Sequence, residues 1–380
     1  MLNTHNHRQF STVICKHMKY DQYIKRTTLK KKIALIFGGK SNEFEVSLVS
    51  ASNIYKAIDK NKFEVVLIGI DKKGNWFINQ NFSNYIFTSF FDQATKISIQ
   101  KYDDIALIID SKNFQTLTSF DIAFSIIHGT YGEDGTLQGF FRTLNIPFVG
   151  PDVLGSAICM DKEITKRVLR DNNIPIANFI SLRKANKNNL TFNEAADKLG
   201  LPMFIKPCNA GSSVGVNKVI DEKSFYNSID HAFKYDNKIL IEEAIVGKEI
   251  ECAILGNEVP KASVIGEITP TKEFYTYDAK YNDSDGAKMK IPAEINLEIT
   301  EKLQETAIKA FKALECDGLS RVDFFLKNDN SFVINEINTL PGFTEISMYP
   351  KLWEESGINY SDLITELIVL AEQKFRDNIF

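Results

Sequence analysis

The sequence has few cysteines and no long apolar run. Its five cysteines are odd in number and widely separated, at positions 15, 159, 208, 252 and 316, and none forms a CxxC pair. This spacing argues against a disulfide framework and against a zinc site. It fits a reducing, cytoplasmic compartment. No stretch of about 18 apolar residues is present, so we expect no transmembrane helix.

The chain also lacks a strong excess of charge of either sign. It has 45 Lys and Arg against 49 Asp and Glu, a formal net charge of −4. No basic stripe is interleaved with aromatic residues, which argues against nucleic-acid binding. The hydrophobic content of 44% and charged content of 25% are typical of a globular protein. A length of 380 residues is enough for two or three domains.

Residues 1–32 differ in composition from the rest. They hold eight Lys or Arg and a single acidic residue, Asp21. A secretory signal would need an apolar segment, and none is present here. We interpret this segment as a disordered basic arm, or as the product of a start codon assigned too early, with Met18 as the true start. A targeting or docking role is a further alternative.

The next hundred residues predict an open α/β domain. We expect strands at 32–37, 64–70 and 121–127, and a helix at 46–58 capped by Ser41. A strand-helix-strand order implies a right-handed parallel crossover. Ligands of such sheets gather at the C-terminal strand ends, where the turns Gly38-Gly39 and His128-Gly129 fall.

The remainder contains several shorter elements. A Pro/Gly segment at 145–151 predicts a boundary, followed by a helix at 156–171 and strands at 203–206 and 239–242. We expect a terminal amphipathic helix from about 360 to 375. Residues 267–292 are polar and aromatic without clear periodicity and predict a long loop, which in a compact domain is usually functional.

A carboxylate hairpin near the C-terminus carries the most chemical information. Two alternating segments flank the turn-like residues 327–330. With a four-residue loop, Asp323 would face Ile334 and Arg321 would face Glu336. Side chains alternate along a strand, so Arg321, Asp323, Glu336 and Asn338 would share one face.

Two carboxylates and an amide oxygen on one face suit Mg²⁺, which takes few protein ligands together with phosphates. The alternative is a plain hairpin with a surface salt bridge. That alternative leaves Asn338 and the Pro341-Gly342 turn unexplained.

Other polar segments suggest a phosphate and ligand site. The glycine-rich segment 206–216 would let backbone N–H groups and Lys206 contact phosphates, although alone it also reads as a flexible turn. The acidic segment at 242–249 could bind ribose or adenine, or form a solvated turn. His128 could bind a ligand or be structural. Glu43 lies in the first turn of a predicted helix, where it could hold an ammonium group.

Together these segments resemble the ATP-grasp superfamily, and within it the D-alanine–D-alanine ligase family. The resemblance runs from about residue 32 to the C-terminus. It rests on seven motifs in the family's order: GGKSNEFEVSL, HGTYGEDGTLQG, MDK, KPCNAGSSVGV, FYTYDAKY, SRVDFF and NEINTLPG.

The resemblance implies a fold and domain plan. It implies an α/β protein, α+β in the ATP-binding part, with an N-terminal Rossmann-like open sheet followed by a two-lobed ATP-grasp unit. After a basic arm at 1–31, we expect a substrate-binding α/β domain at 32–150. A central ATP-grasp lobe at 151–241 and a C-terminal lobe at 242–380 would follow, with ATP between the two lobes.

The resemblance also implies site residues. Residues implied at the nucleotide are Lys162, Lys206, Glu242, Glu243, Ile245, Glu249 and Phe274. Those implied for two Mg²⁺ (or Mn²⁺) ions are Asp323, Glu336 and Asn338. Those implied at the two D-alanine molecules are Glu43, His128, Lys280, Ser347 and Met348. Catalytic roles are implied for Glu43, Ser212, Tyr281, Arg321 and Gly342, with Ser212 and Tyr281 linking a covering loop to Glu43.

The implied function is ATP-dependent ligation of two D-alanine molecules through an acyl phosphate, in a cytoplasmic homodimer of the peptidoglycan pathway. Position 348 is Met where some relatives have Leu, and Asn209-Ala210 is a variable pair without an assigned role. Alternatives are another ATP-grasp carboxylate–amine ligase, a D-alanyl–D-lactate ligase, disfavoured by Tyr281, and a nucleotide-binding module without catalysis.

Overall fold

The computed structural model describes residues 30–79, 87–270 and 287–377. Predictions for the arm at residues 1–29 and for Phe274, Lys280 and Tyr281 lie outside these residues. The described chain forms three sheets with helices packed on them.

The N-terminal sheet has seven strands in the order β6-β5-β4-β3-β2-β1-β7. They are β1 Lys31–Gly38, β2 Phe63–Ile70, β3 Trp76–Ile78, β4 Thr95–Tyr102, β5 Ile105–Asp110, β6 Thr116–Phe120 and β7 Ile122–Ser125. Both neighbours of β1, β2 and β7, run parallel to it. The predicted parallel crossover is confirmed, through helix α1 at Phe44–Ala57. A short 3₁₀ helix at Phe87–Gln93 and helix α2 at Thr136–Thr143 complete this part.

The central sheet is antiparallel, with the order β10-β9-β11-β8. Its strands are β8 Phe179–Arg183, β9 Met203–Pro207, β10 Asn217–Val219 and β11 Lys238–Glu243. The strands predicted at 203–206 and 239–242 are therefore confirmed. Helices α5 (Phe192–Leu199) and α6 (Glu222–Ala232) and a 3₁₀ turn at Lys184–Asn189 belong to this part.

The single helix predicted at 156–171 is wrong. Two helices are present, α3 at Val153–Met160 and α4 at Lys162–Asp171. Asp161 has an extended backbone and accepts hydrogen bonds from the N–H groups of Glu163 and Ile164. An aspartate in this role caps a new helix, so it ends one helix and begins the next.

The C-terminal sheet is also antiparallel, with the order β14-β13-β12-β15-β16. Its strands are β12 Lys248–Gly256, β13 Lys261–Pro270, β14 Ala287–Lys290, β15 Gly318–Leu326 and β16 Phe332–Asn338. The long loop predicted at 267–292 is wrong at both ends, because β13 and β14 pair there. Helices α7 (Leu297–Ala313), α8 (Met348–Glu355) and α9 (Tyr360–Asp377) complete the part, and the predicted terminal helix is confirmed.

The hairpin of β15 and β16 has a different register from the predicted one. Phe324 pairs with Ile334, but a bulge then shifts the ladder so that Asp323 pairs with Glu336 and Arg321 with Asn338. Compared with the predicted pairing, the register moves by two residues at the functional end. Because side chains alternate with a period of two, the four polar side chains still share one face.

One apolar core joins the N-terminal and C-terminal sheets. The same core contains Leu35 of β1, Leu255 of β12, and Leu363 and Leu367 of helix α9. The rings of Phe124 and Phe343 meet edge to face, with centroids 6.3 Å apart. This core brings the strand ends of the first sheet close to the loop after β16. No helix in the described residues is long and apolar enough to cross a membrane.

Candidate active site

A cavity lies where the three sheets approach one another. Ten of the predicted site residues line it: Glu43, His128, Lys162, Ser212, Arg321, Glu336, Asn338, Gly342, Ser347 and Met348. They come from all three parts of the chain, so the fold brings together motifs far apart in sequence. The nucleotide residues predicted at 206 and 242–249 are not among its lining side chains.

Glu43 lies at the N-terminus of helix α1, after the turn that follows β1. Gly38 has a φ of 88°, and a Cβ there would lie 2.3 Å from the Ile70 carbonyl oxygen, so only glycine fits this turn. The predicted capping role of Ser41 is wrong: Glu43 is the N-cap, and its backbone N–H donates to Ser41 Oγ at 3.0 Å. Ser41 Oγ donates in turn to the His128 carbonyl oxygen at 2.6 Å.

Glu43 is connected to the glycine-rich loop. Ser212 Oγ donates to Glu43 Oε1 at 2.5 Å, across 169 residues of sequence. Ser212 and Ser213 have φ values of 51° and 60°, a region sparsely populated by residues other than glycine. The contact therefore joins the N-terminal domain to a tightly turned segment of the central sheet, as the family resemblance implies for the Ser212–Glu43 pair.

His128 is buried and holds the loop after β16. Its Nδ1 lies 3.0 Å from the Leu340 carbonyl oxygen, which can only accept, so Nδ1 carries the proton. Its Nε2 then accepts from Ser50 Oγ at 3.2 Å, and Ser50 Oγ accepts from the Phe343 N–H at 3.2 Å. Burial lowers the pKa of His128, which favours this neutral form.

This chain of hydrogen bonds fixes the backbone around Gly342. Sequence reasoning missed Ser50, because a serine inside a helix carries no local signal of a contact 293 residues away. A Cβ at Gly342 would lie 2.7 Å from Ser347 Oγ. Ser347 Oγ also accepts from the Thr344 N–H at 2.9 Å, and Met348 begins helix α8 beside it.

Arg321 is the cation that the C-terminal sheet contributes to the lining of the cavity. It makes a two-point contact with Asp323, from Nε to Oδ1 at 2.7 Å and from Nη2 to Oδ2 at 2.6 Å. Its Nε also lies 2.9 Å from Glu251 Oε2 on β12. Burial opposes this charge, but Asp323 and Glu251 outweigh it and raise the pKa of Arg321. Glu251 was missed from the sequence because it lies on a different strand, in a run that reads only as core.

The carboxylates of the hairpin fit a metal bound together with phosphates. Asp323 and Glu336 are paired across the strands, and Asn338 follows on the same face. The described residues contain no cluster of three or more His, Cys, Asp or Glu side chains able to hold a metal alone. Two carboxylates and an amide are nevertheless a hard-oxygen set of the kind Mg²⁺ shares with substrate phosphates.

Lysines face these carboxylates. Lys162 Nζ lies 4.0 Å from Glu336 Oε2 and donates to the Ala210 carbonyl oxygen at 2.7 Å. The glycine-rich loop therefore uses the backbone of Ala210, to which the sequence assigned no role. Burial lowers the pKa of Lys162. Lys206 Nζ lies 2.6 Å from Glu242 Oε2, so these two predicted nucleotide residues contact each other.

The remaining predicted nucleotide residues follow β11. The Glu243 side chain is engaged by Asn178, whose backbone N–H donates to Oε1 at 2.7 Å. The Glu243 backbone N–H donates in turn to the Asn178 carbonyl oxygen at 3.1 Å, so Asn178 contacts both the carboxylate and the N–H of Glu243. Ile245 lies in the partly buried turn before β12, and Glu249 is the second residue of that strand.

Glu133 is a further acidic group of the cavity that sequence reasoning passed over. It lies within the HGTYGEDG turn and lines the cavity. Its Oε2 accepts from the Gly129 N–H at 2.7 Å, whereas its buried Oε1 has no hydrogen-bond partner in the described part of the chain. Burial and then the charge of Glu43 raise the pKa of Glu133 to about 8. An acid that keeps its proton at neutral pH can donate a hydrogen bond within the cavity.

Known proteins share both the sequence and the fold of this chain. Family models described as D-ala D-ala ligase N-terminus and C-terminus match residues 32–151 and 168–369. A D-alanine–D-alanine ligase of Oceanobacillus iheyensis is 54% identical over 92% of this chain and 97% of that protein.

Solved structures agree with these sequence matches. A D-alanine–D-alanine ligase of Coxiella burnetii has a TM-score of 0.80 at 36% identity, covering 92% of this chain and 95% of that one. A D-alanine–D-alanine ligase of Bacillus anthracis complexed with ATP has a TM-score of 0.70 at 30% identity, covering 92% and 100%.

Proposed function

The chain belongs to the D-alanine–D-alanine ligase family, and from that premise we propose how its site residues divide the work. The reaction joins two D-alanine molecules with ATP as co-substrate, giving D-alanyl-D-alanine for peptidoglycan synthesis. The main support for this proposal is that Glu43, Lys162, Arg321 and Glu336 line a single cavity. A carboxylate for an ammonium group, a lysine for phosphate and one carboxylate of the proposed metal site thus line the same cavity.

In the first step, Glu43 binds the ammonium group of the first D-alanine, and the Ser212 hydroxyl holds Glu43 in place. One carboxylate oxygen of this D-alanine attacks the γ-phosphorus of ATP. The new P–O bond gives an acyl phosphate as the bond to the ADP oxygen breaks. Lys162 and Lys206 bind the phosphate oxygens, where fixed cations stabilise the developing negative charge.

In the second step, the amine of the second D-alanine attacks the acyl carbon. Arg321 and the backbone N–H of Gly342 stabilise the tetrahedral oxyanion before phosphate leaves. One such donor lowers the barrier by roughly 3–4 kcal/mol. The hydrogen bond that His128 donates to Leu340 and the one that Ser50 accepts from Phe343 hold the loop around Gly342, and so keep this N–H in position.

Asp323, Glu336 and Asn338 would hold magnesium or manganese, which we propose as two ions. When bound, the metal neutralises charge on the transferring phosphate oxygens. In this structure Arg321 occupies both carboxylate oxygens of Asp323. We therefore propose that Asp323, when it also binds a metal, would hold Arg321 less strongly and leave more of the guanidinium for the oxyanion.

Tyr281 supports D-alanine rather than D-lactate as the second substrate, because within the family tyrosine at this loop position accompanies dipeptide formation. Lys280 and Tyr281 would close the covering loop over the site, with Phe274 against the nucleotide. Water excluded in this way cannot hydrolyse the acyl phosphate.

The proposal also covers the domains, the nucleotide contacts, the oligomeric state and the cellular location. We expect a substrate-binding domain at 32–150 and ATP-grasp lobes at 151–241 and 242–380, with Glu242, the backbone of Glu243 and Ile245, and Glu249 around adenine and ribose. Ser347 and Met348 would contact the second D-alanine. A homodimer is supported by family resemblance alone. A cytoplasmic location is supported by the need for ATP and by the free thiols among the described cysteines.

The test is ADP release in the presence of ATP, Mg²⁺ and D-alanine, with the product identified by mass. L-Alanine is the matched control. Formation of D-alanyl-D-alanine that depends on D-alanine is the expected result. ATP binding by folded protein without any stimulation by D-alanine would contradict the substrate assignment and redirect the search to other carboxylate–amine substrates.

A further inference from the structure

We propose that Lys166 is a positioning residue for ATP, because it keeps Glu242 neutralised when Lys206 moves from Glu242 to the nucleotide phosphates. This inference rests on the proposed role of Lys206 at the phosphates. It assigns a role to a buried lysine that the mechanism described above does not use.

The three side chains form a buried row. Lys166 lies one helical turn after Lys162 on helix α4, and it is 2% exposed. Its Nζ forms an ion pair with Oε1 of Glu242, while Lys206 Nζ lies 2.6 Å from Oε2 of the same carboxylate. Each lysine therefore has its own oxygen of Glu242.

The row contains two lysines but a single carboxylate, Glu242. With both lysines charged, a single carboxylate is shared by two cations in a region closed to water. Removing one partner of a buried ion pair is strongly unfavourable when the other charge is left uncompensated. Here Lys206 can leave for a phosphate without that penalty, because Lys166 stays with Glu242.

The pKa shifts of the row identify Glu242 as its negatively charged group. Burial acts against the charge of each group, but Lys206 and Lys166 outweigh it at Glu242 and lower the pKa of that carboxyl. Burial lowers the pKa of Lys166, whereas the attraction of Glu242 outweighs burial at Lys206 and raises its pKa. Glu242 is therefore the ionised centre of the row.

The positions of the two lysines differ in the way the proposal requires. Lys206 is the penultimate residue of strand β9, which leads directly into the glycine-rich loop. Lys166 follows Lys162 by one turn on helix α4 and is 2% exposed, against 8% for Lys206. Neither lysine lines the cavity described above, but only Lys206 is next to the glycine-rich loop. Lys166 thus acts on the nucleotide through Glu242 and Lys206 rather than by touching it.

The test compares Lys166→Met with Lys166→Arg and Lys206→Met in the full chain. We would measure the Kd of Mg²⁺-ATP by calorimetry without D-alanine, and then KM for ATP, KM for D-alanine and kcat. Losing one charge-assisted contact predicts a Kd for ATP raised about tenfold or more in Lys166→Met. KM for D-alanine should change less than about twofold, and Lys166→Arg should restore most of the ATP affinity.

The two possible failures are distinguishable. If folded Lys166→Met binds ATP normally while Lys206→Met binds it weakly, the inference about Lys166 is overturned. If Lys206→Met also binds ATP normally, the proposed role of Lys206 fails first.

A second variant covers the case in which Lys166→Met does not fold. Glu242→Gln removes the carboxylate that needs a counter-ion, so adding Lys166→Met in that background should change ATP affinity less than about twofold. A further tenfold loss in the double variant would show that Lys166 acts independently of Glu242 and would overturn the inference.

Discussion

Replacing Glu133 with glutamine should change how the stability of the protein depends on pH. Glutamine has the shape of a protonated glutamic acid, so Glu133→Gln keeps the hydrogen bond from the Gly129 N–H and removes the titration. Burial raises the pKa of Glu133 from 4.5 to about 8. Between pH 4.5 and about 8, the folded state therefore keeps a proton on Glu133 that the unfolded state has released.

The sign and size of the effect follow from that difference. Where the folded state binds more protons, the free energy of unfolding falls as pH rises. The loss begins near pH 4.5 and is complete once pH passes about 8. Each pKa unit is worth about 1.4 kcal/mol, so the full loss is on the order of 5 kcal/mol. That is a large part of the stability of an ordinary domain.

The assay is urea unfolding without substrates, for wild type and Glu133→Gln, at five pH values from 5 to 9. The variant should gain stability relative to wild type steadily as pH rises, with the largest gain at pH 9. Glu301→Gln, at an exposed position on helix α7, is the matched control and should show no such trend. A constant difference between wild type and Glu133→Gln across this range would refute the assignment of Glu133 as a buried, protonated acid.

Three further predictions concern the reaction. Arg321→Ala should slow turnover by about two orders of magnitude or more, because it removes an oxyanion donor; near-normal turnover in a variant with an unchanged circular dichroism spectrum would contradict that role. Glu251→Gln should lower kcat about tenfold while KM for ATP is retained, because Arg321 loses one of its two carboxylates, and an equal rise in both KM values would argue for a general packing defect. Tyr281→Phe should shift the preference from D-alanine towards D-lactate in a competition assay, and an unchanged ratio would count against the proposed loop contact.

Local patterns predicted the elements of this fold well. Strands β1, β2, β9 and β11 follow from short apolar runs, and the terminal helix follows from its periodicity. The error at 156–171 has a local cause as well. Asp161 is a capping residue inside a continuous amphipathic pattern, and its side chain competes for backbone N–H groups that a single helix would need.

Contacts between distant segments could not be predicted in the same way. Ser50 looks like any small residue in a helix, and Lys166 looks like a solvated charge on one. Their roles depend on how closely helix α1 approaches residue 343 and how closely helix α4 approaches β11. Such distances are set by packing of whole elements, which residue spacing does not encode. The motif-based predictions draw on a family resemblance, which already contains that packing.

The hairpin shows why a partly wrong register can still place the polar side chains on one face. The assumed four-residue loop placed Arg321 opposite Glu336, yet Arg321 pairs with Asn338. A slip of one residue would have turned one strand's polar side chains into the core, where Val322 and Ile337 now lie. The longer turn and the bulge each add one residue, and together they restore the original face. Burial of the alternate apolar positions thus rules out a register shift of one residue but allows a shift of two. Which carboxylate faces which partner is settled by the bulge between Asp323 and Phe324, and no local pattern in the sequence marked it.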